Sequence, residues 1–294
     1  MFDAILSWPN LCLAWEKVAD NRGAAGADAV SITRFARNWE EHLRTLAALV
    51  QAGRYRPGGL RRVAIPKRDG GQRLLRIPNV GDRVVQRAAL NVLEPMLERR
   101  FLPCSYGYRP RRGVRDAVAA IVRLRKLGRT WLLDADIDDC FDSIDHRLLR
   151  GFLREEGLDA PTIALLDLWL HSGRSAADPA RGLAQGMPIS PLLCNVYLHR
   201  LDRALTRGRW LLVRYADDFV VCCTGPRQAE QAQHAVAQAL TRLHLRLEPA
   251  KTRITSFSEG FDFLGVHFEG ESVRFLWEDH ALALDKRTPA WLWR

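Results

Sequence analysis

Apolar positions recur at helical spacing in the first part of the chain and at strand spacing further on. Over residues 11–53, Ala, Leu and Trp follow the helical period, with Trp39, Leu43, Leu46, Leu49 and Val50 along one face and Gly53 as the stop. Residues 60–77 change texture: two runs alternating apolar and basic residues, LRRVAIP and QRLLRIP, are joined by KRDGG, which has the composition of a β-hairpin. Helical spacing returns over residues 80–100 and 113–127, the second closed by Gly128, and between them lies the basic and aromatic loop SYGYRPRRG. Trp131 to Leu133 begins a strand that runs into a group of acids. Asp145 can cap the helix HRLLRGFLREE, which Gly157 closes, and Ser190 as cap with Pro191 in first position starts another. A helix over residues 227–242 and strands at Leu211 to Arg214, Phe219 to Cys223, Leu243 to Leu247 and Phe261 to Phe268 complete the pattern. Strands interspersed irregularly with helices predict an α+β fold with a mainly antiparallel sheet.

At 294 residues and 47% hydrophobic content, the chain can bury a substantial core. Lys and Arg number 44 against 34 Asp and Glu, and the formal charge of +10 points to a polyanionic partner, nucleic acid first, although a basic surface also serves solubility. The six cysteines form no CxxC pair and sit mostly in apolar runs, so a reducing cytoplasm is expected. The eight histidines show no zinc-binding spacing. No basic leader precedes the first apolar stretch, and no run reaches the roughly 18 apolar residues that span a bilayer. The expectation is a chain neither exported nor membrane-embedded.

The sharpest chemical signal is LVRYADDFVVCC, where Asp217 and Asp218 stand between two apolar runs at the place a hairpin would turn. Taken alone, they read equally well as ordinary turn residues. A second acidic group, from Asp134 through Asp136 and Asp138 to Asp142, follows its own apolar run. Crowded carboxylates are costly unless a cation neutralises them, and hard oxygen donors suit magnesium or manganese. Two strand ends could together serve phosphoryl transfer, which uses two metals about 3.5–4 Å apart. Asp138, Asp142 and Asp145 read instead as solvated turn or cap residues.

RYADDF, DIDDCFDSIDH and GLAQGMPISPLLCN resemble, in order, the palm motifs of reverse transcriptases of the group II intron lineage. The likeness also takes in ADNRGAAGAD, GRYRP, RRVAIPKRDGGQRLLRIP, DRVVQRA, SYGYRPRRG and FDFLGVHF, which is nearly the whole chain. It implies a right-hand polymerase fold and an RNA-directed DNA polymerase that uses two magnesium ions, with manganese able to substitute. Asp136, Asp217 and Asp218 match the family's metal carboxylates, and Ile137 would lend a backbone carbonyl. Phe141 resembles the aromatic gate that crowds a ribose 2′-hydroxyl, while reading equally as a core aromatic. Lys67 and Arg73 resemble the residues that grip the incoming triphosphate, and Gln185 the residue beneath the nucleotide sugar and template base. The family usually has Pro before that Gln, where this chain has Ala184. Lys251 matches a lysine beside the leaving pyrophosphate, as proton donor or counter-charge. Tyr106, Tyr108, Arg109, Arg111 and Arg112 would follow a template or primer backbone by charge and stacking.

By the same resemblance, residues 1–127 are an N-terminal extension and fingers, residues 128–280 a palm with a helical insertion within 150–185, and residues 281–294 the start of a thumb or linker. The thumb is then missing or minimal, which implies either a shortened chain or a domesticated enzyme that borrows the function from a partner. The implied partners are an RNA template, a DNA or RNA primer and deoxynucleotides, together with a CRISPR spacer integrase or another protein that supplies the thumb function, in a CRISPR-adaptation or phage-defence setting. Two rivals stay open. One is a non-catalytic nucleic-acid-binding subunit, against which the three intact acids speak. The other is an RNA-dependent RNA polymerase, disfavoured by the bulk of Phe141.

Overall fold

The computed structural model of the protein describes residues 1–66, 72–175, 177–276 and the strand backbone at 281–283. The chain opens with the helices α1 (Phe2–Leu6), α2 (Trp8–Asp20), α3 (Ile32–Ala36) and α4 (Trp39–Gln51), followed by the hairpin strands β1 (Arg61–Pro66) and β2 (Gln72–Ile77). Helices α5 (Val80–Glu98) and α6 (Val114–Lys126) lead to β3 (Trp131–Ala135), the short α7 (Cys140–Ser143), α8 (His146–Glu155), α9 (Ala160–Gly173) and α10 (Ser190–Arg207). Then come β4 (Leu211–Tyr215), β5 (Asp218–Cys223), α11 (Pro226–Thr241), β6 (Arg253–Ser256), β7 (Phe261–Phe263), β8 (Val266–Glu269), β9 (Ser272–Phe275) and β10 (Ala281–Ala283). The fold is α+β with antiparallel sheets, as the spacing predicts. Contacts group the chain into two compact units: Met1–Arg100 with Phe141–Tyr197, and Phe101–Cys140 with Leu198–Arg294.

In the first unit α2 packs along α5. Leu11, Ala14, Trp15 and Val18 follow the helical period, so one face of α2 is buried. A polar knot lies in this core. The Tyr55 hydroxyl donates to Asp82 at 2.6 Å, the Trp169 indole donates to Tyr55 at 3.2 Å, and the Gly58 amide donates to the other Asp82 oxygen at 2.9 Å. Burial raises the pKa of Asp82, and the bonds from Tyr55 and Gly58 oppose that rise. β1 and β2 pair from Arg61↔Ile77 to Pro66↔Gln72. Residues 67–71, Lys67 among them, lie outside the described residues, as does the side chain of Arg73.

The second unit holds a sheet in the order β4-β5-β3-β6. Strand side chains alternate between faces, so Leu132 on β3 and Val220 and Cys222 on β5 pack with α6 and with the aromatic residues of the β7–β9 region. The alternate positions Leu133, Val221 and Cys223 are buried as well, and α11 lies against β3, β5 and β6. The second sheet runs β10-β9-β8-β7. Its Phe261 and Phe268 rings stack at 4.8 Å, and Phe257 meets them edge-on at 5.2 and 6.1 Å.

Three expectations change. Leu243 to Leu247 is not a strand: the amides of Leu243 and Leu245 both bond back to the Leu240 carbonyl, and His244 takes φ +54°, so these leucines close α11. Their alternation reflects burial alone. Phe261 to Phe268 is not one strand but the hairpin β7–β8, turned by Leu264 and Gly265 at φ +53° and +73°. Both central residues at positive φ is the hairpin turn that suits strand twist, and a glycine is normal at its second position. Within residues 11–53 the helices are interrupted after Asp20, and α2 already begins at Trp8.

Among the described residues, no helix is long and apolar enough to cross a membrane. Phe268 is fully buried in the aromatic cluster. Phe268→Ala is expected to cost about 3–5 kcal/mol of stability, read as a lowered urea midpoint.

Candidate active site

The site is built by strand register. β3 and β5 are antiparallel with Ala135 opposite Phe219, so the next residue of each strand, Asp136 and Asp218, leaves the ladder at the same end. Alternation puts Asp134 of β3, and Asp136 just past its end, on the face that Asp218 shares on β5. These three acids, with Lys251, Arg253 and Asp262, line an open pocket of about 330 Å³. Asp217 stands in the two-residue turn between β4 and β5, next to Ala216.

Each acid has its own surroundings. One Asp136 oxygen accepts from the Ile137 amide at 2.8 Å, and the other pairs with Lys251 Nζ at 2.8 Å. Lys251 is delivered by a single 3₁₀ turn, Pro249–Lys251, anchored where the Glu248 amide donates to the Asp136 carbonyl at 2.9 Å. Asp134 pairs with Arg253 at 3.0 Å. Burial pushes the Asp134 carboxyl up, against the opposing pull of Arg253. Asp218 is pushed up to about 7, first by the packing around it and then by Asp217 and Asp136, with Lys251 opposing. It keeps an exposed face, where water screens part of this repulsion. The direction follows from burial first and from several anions facing one pocket second.

A divalent cation is the natural relief for such crowding. Among the described residues, no three His, Cys, Asp or Glu side chains form a ready-made ligand cage, and Lys251 stands at Asp136. That donor set fits magnesium, which keeps several waters and is usually held by one or two carboxylates together with substrate phosphates. It fits zinc poorly, since the pocket offers neither imidazole nor thiolate.

The other acids of the cluster are structural. Asp138 pairs with Arg246 at 2.6 Å, Asp142 with Arg76 at 3.0 Å, and Asp145 accepts from the Leu148 amide to cap α8. Phe141 and Gln185 both belong to the first unit, Phe141 buried and Gln185 half-buried. The Gln185 carbonyl accepts from the Arg76 amide at 2.7 Å. In the basic loop, Tyr108 and Arg111 are exposed and Arg112 is half-buried. Tyr106 lies in the core, and the buried Arg109 donates to the carbonyls of Leu102 and Ser105, each at 2.7 Å. Arg253 and Asp262 escaped the sequence reading, which noted Asp134 only as part of the acidic run. Asp134 had a signal, since it stands two residues before Asp136 and strand alternation carries both to one face.

Paired strand-end carboxylates on an antiparallel sheet, with a lysine across them, are an arrangement able to serve metal-assisted phosphoryl transfer. The sequence profile of the reverse transcriptase (RNA-dependent DNA polymerase) family matches residues 65–268, and the chain belongs to that family. Protein YkfC of Escherichia coli strain K12 is 34% identical over 283 residues, covering 82% of this chain and 74% of that protein. The group II intron-encoded protein LtrA of Lactococcus lactis is 32% identical over 196 residues, covering 65% of this chain but 32% of its own length. Among solved structures, telomerase from Candida albicans matches with a TM-score of 0.54 at 15% identity, over 81% of this chain and 48% of that one. At that identity the likeness shows a shared fold. The chain thus spans about three quarters of the Escherichia coli relative and about a third of the intron-encoded one.

The raised Asp218 pKa has a measurable sign. Without metal, the folded protein holds a proton on Asp218 up to about pH 7, whereas an ordinary carboxyl loses it near 3.8. The stability this contributes is full below the lower value, falls as pH rises across the window, and is lost above about pH 7. In chelator, Asp218→Asn is therefore expected to be more stable than wild type at pH 8, with the gap closing as pH falls toward 4. Urea midpoints across that range check it, and a gap independent of pH would contradict it.

Proposed function

We propose that this chain is an RNA-directed DNA polymerase that adds deoxynucleotides to a primer 3′ end on an RNA template. The observation that carries this reading is the meeting of Asp136 and Asp218 on one strand-end face, with Asp217 in the adjoining turn, in a chain of the reverse transcriptase family. Membership of that family implies use of a divalent metal. Asp136, Asp217 and Asp218 would hold two magnesium ions, or manganese in their place, with Ile137 adding its carbonyl. Bound there, the metals would activate the attacking hydroxyl and neutralise the departing pyrophosphate.

The chain's own residues do the rest. Lys251, now on Asp136, has the length and charge to turn toward the leaving pyrophosphate as proton donor or counter-charge. Lys67 and Arg73 would grip the triphosphate, and Gln185 would lie under the nucleotide. Phe141 would reject a 2′-hydroxyl while also filling core space. In the basic loop, Tyr108, Arg111 and Arg112 are the members placed to meet a nucleic-acid backbone, while Tyr106 and Arg109 would shape the loop that carries them. In family terms, the fingers would be drawn from the N-terminal helices and hairpin, and the palm from the sheet β4-β5-β3-β6. Service in CRISPR spacer acquisition or phage defence, with a partner supplying the thumb, rests on the resemblance alone, and the neighbouring genes test it.

Purified protein with magnesium, a primer on an RNA template and deoxynucleotides is expected to extend the primer. The double variant Asp217→Ala/Asp218→Ala should lose at least about a hundredfold in rate, with template affinity little changed. Wild-type protein that binds the template yet never extends would favour the non-catalytic rival. Phe141→Ala is expected to raise ribonucleotide incorporation relative to deoxynucleotide. That ratio is insensitive to any general loss of folded protein, and an unchanged ratio would remove the gate assignment.

A further inference from the structure

Arg214 stands on β4 one residue before Tyr215, and its side chain is fully buried, as is that of Asp202 on α10. The guanidinium takes the carboxylate at both oxygens, Nε donating to Oδ1 at 2.7 Å and Nη2 to Oδ2 at 2.6 Å. Nη2 also donates to the Ser105 hydroxyl at 2.9 Å, and Nη1 donates to the Ala216 carbonyl at 2.8 Å. That carbonyl belongs to the peptide joining Ala216 to Asp217, so holding it fixes the plane from which Asp217 projects.

The turn needs holding. Ala216 takes φ +59°, a left-handed conformation that a residue with a Cβ adopts only under constraint. A second restraint comes from the segment beside β4, where Arg214 N donates to the Cys104 carbonyl and Tyr106 N to the Arg214 carbonyl, each at 2.8 Å. Gly107 then lies against the turn itself. A Cβ at that position would stand 2.4 Å from the Ala216 nitrogen and 2.9 Å from the Tyr215 carbonyl carbon, so only glycine allows this approach.

A buried ion pair is a poor source of stability, because desolvating both charges offsets their attraction and apolar residues of similar volume often serve as well. A guanidinium anchored at both ends supplies what apolar packing does not: a further donor aimed in a fixed direction. The geometry points to Arg214, anchored by Asp202 and Ser105, as a positioning residue that sets the Ala216–Asp217 peptide so that Asp217 and Asp218 present their oxygens correctly to a divalent metal. The inference rests on the polymerase reading of the site, and its test includes a readout that does not require turnover.

Arg214→Lys keeps the buried charge but lacks a second arm to reach Ala216 while paired with Asp202. The double variant Arg214→Met/Asp202→Leu replaces the pair with apolar side chains of similar size. Both are compared with wild type by thermal melting, by Mn²⁺ titration followed with electron paramagnetic resonance, and by primer-extension kcat and KM for deoxynucleotide. The folded double variant is expected to bind Mn²⁺ about 10- to 100-fold more weakly, with kcat reduced by a similar factor and KM little changed. Native Mn²⁺ affinity in that folded variant overturns the proposal. If it does not fold, Arg214→Lys and Ser105→Ala decide, and native Mn²⁺ affinity and kcat in both overturn it. A wild type that binds Mn²⁺ but never extends a primer, and whose variants lose that binding, would sink the polymerase reading while supporting the positioning role.

Discussion

The register between β3 and β5 is the constraint on which the site depends. The ladder between the two strands ends at Ala135 opposite Phe219, and the residue that follows on each side, Asp136 and Asp218, is an aspartate. A slip of one residue would send Asp136 to the opposite face of the sheet and exchange the buried set Leu132, Val220 and Cys222 for its neighbours. The core therefore enforces the juxtaposition of charges that would otherwise repel. Hydrophobic burial along the strands outweighs repulsion at their ends, and the raised pKa of Asp218 reflects first the packing around it and then that repulsion.

Charge is handled differently at the two depths of this unit. In the pocket, carboxylates are left partly exposed and are met by long, mobile cations: Lys251 at Asp136 and Arg253 at Asp134. Such pairs are weak in water and exchange readily for other partners, which suits a place where phosphates and metals would come and go. Beneath the turn, Arg214 and Asp202 are sealed from solvent and bonded at every heavy-atom end described above. Backbone strain follows the same division. Ala216 and Leu264 both take the left-handed conformation, Ala216 beside Asp217 and Leu264 at the pocket wall. Strained residues of this kind persist where surrounding structure over-determines them.

Much of the fold was legible because it is encoded locally. The β1–β2 hairpin, the Asp145 cap and the strands flanking Asp217 and Asp218 each follow from a few adjacent residues. The misses share a cause. Leu243 and Leu245 alternate like a strand, but the end of α11 had already claimed their amides. The second partner of β3, on the edge away from β5, is β6, a four-residue strand with charge at one end and too little alternation to stand out. The lone arginine in LLVRYADD was visible as a charge within an apolar run, yet nothing nearby said that its partner was Asp202 on the preceding helix.

From the sequence by itself came the α+β class, the order of the motifs and the identity of the acids, because periodicity, capping and turn chemistry act over a few residues. Tertiary structure alone decided which of those acids share a face, which are tied to arginines, and that Lys251 closes on Asp136 from 115 residues away. Pairings at that separation depend on strand register and on the order in which sheets stack. Those are set by the total burial of the chain, and no local pattern carries them.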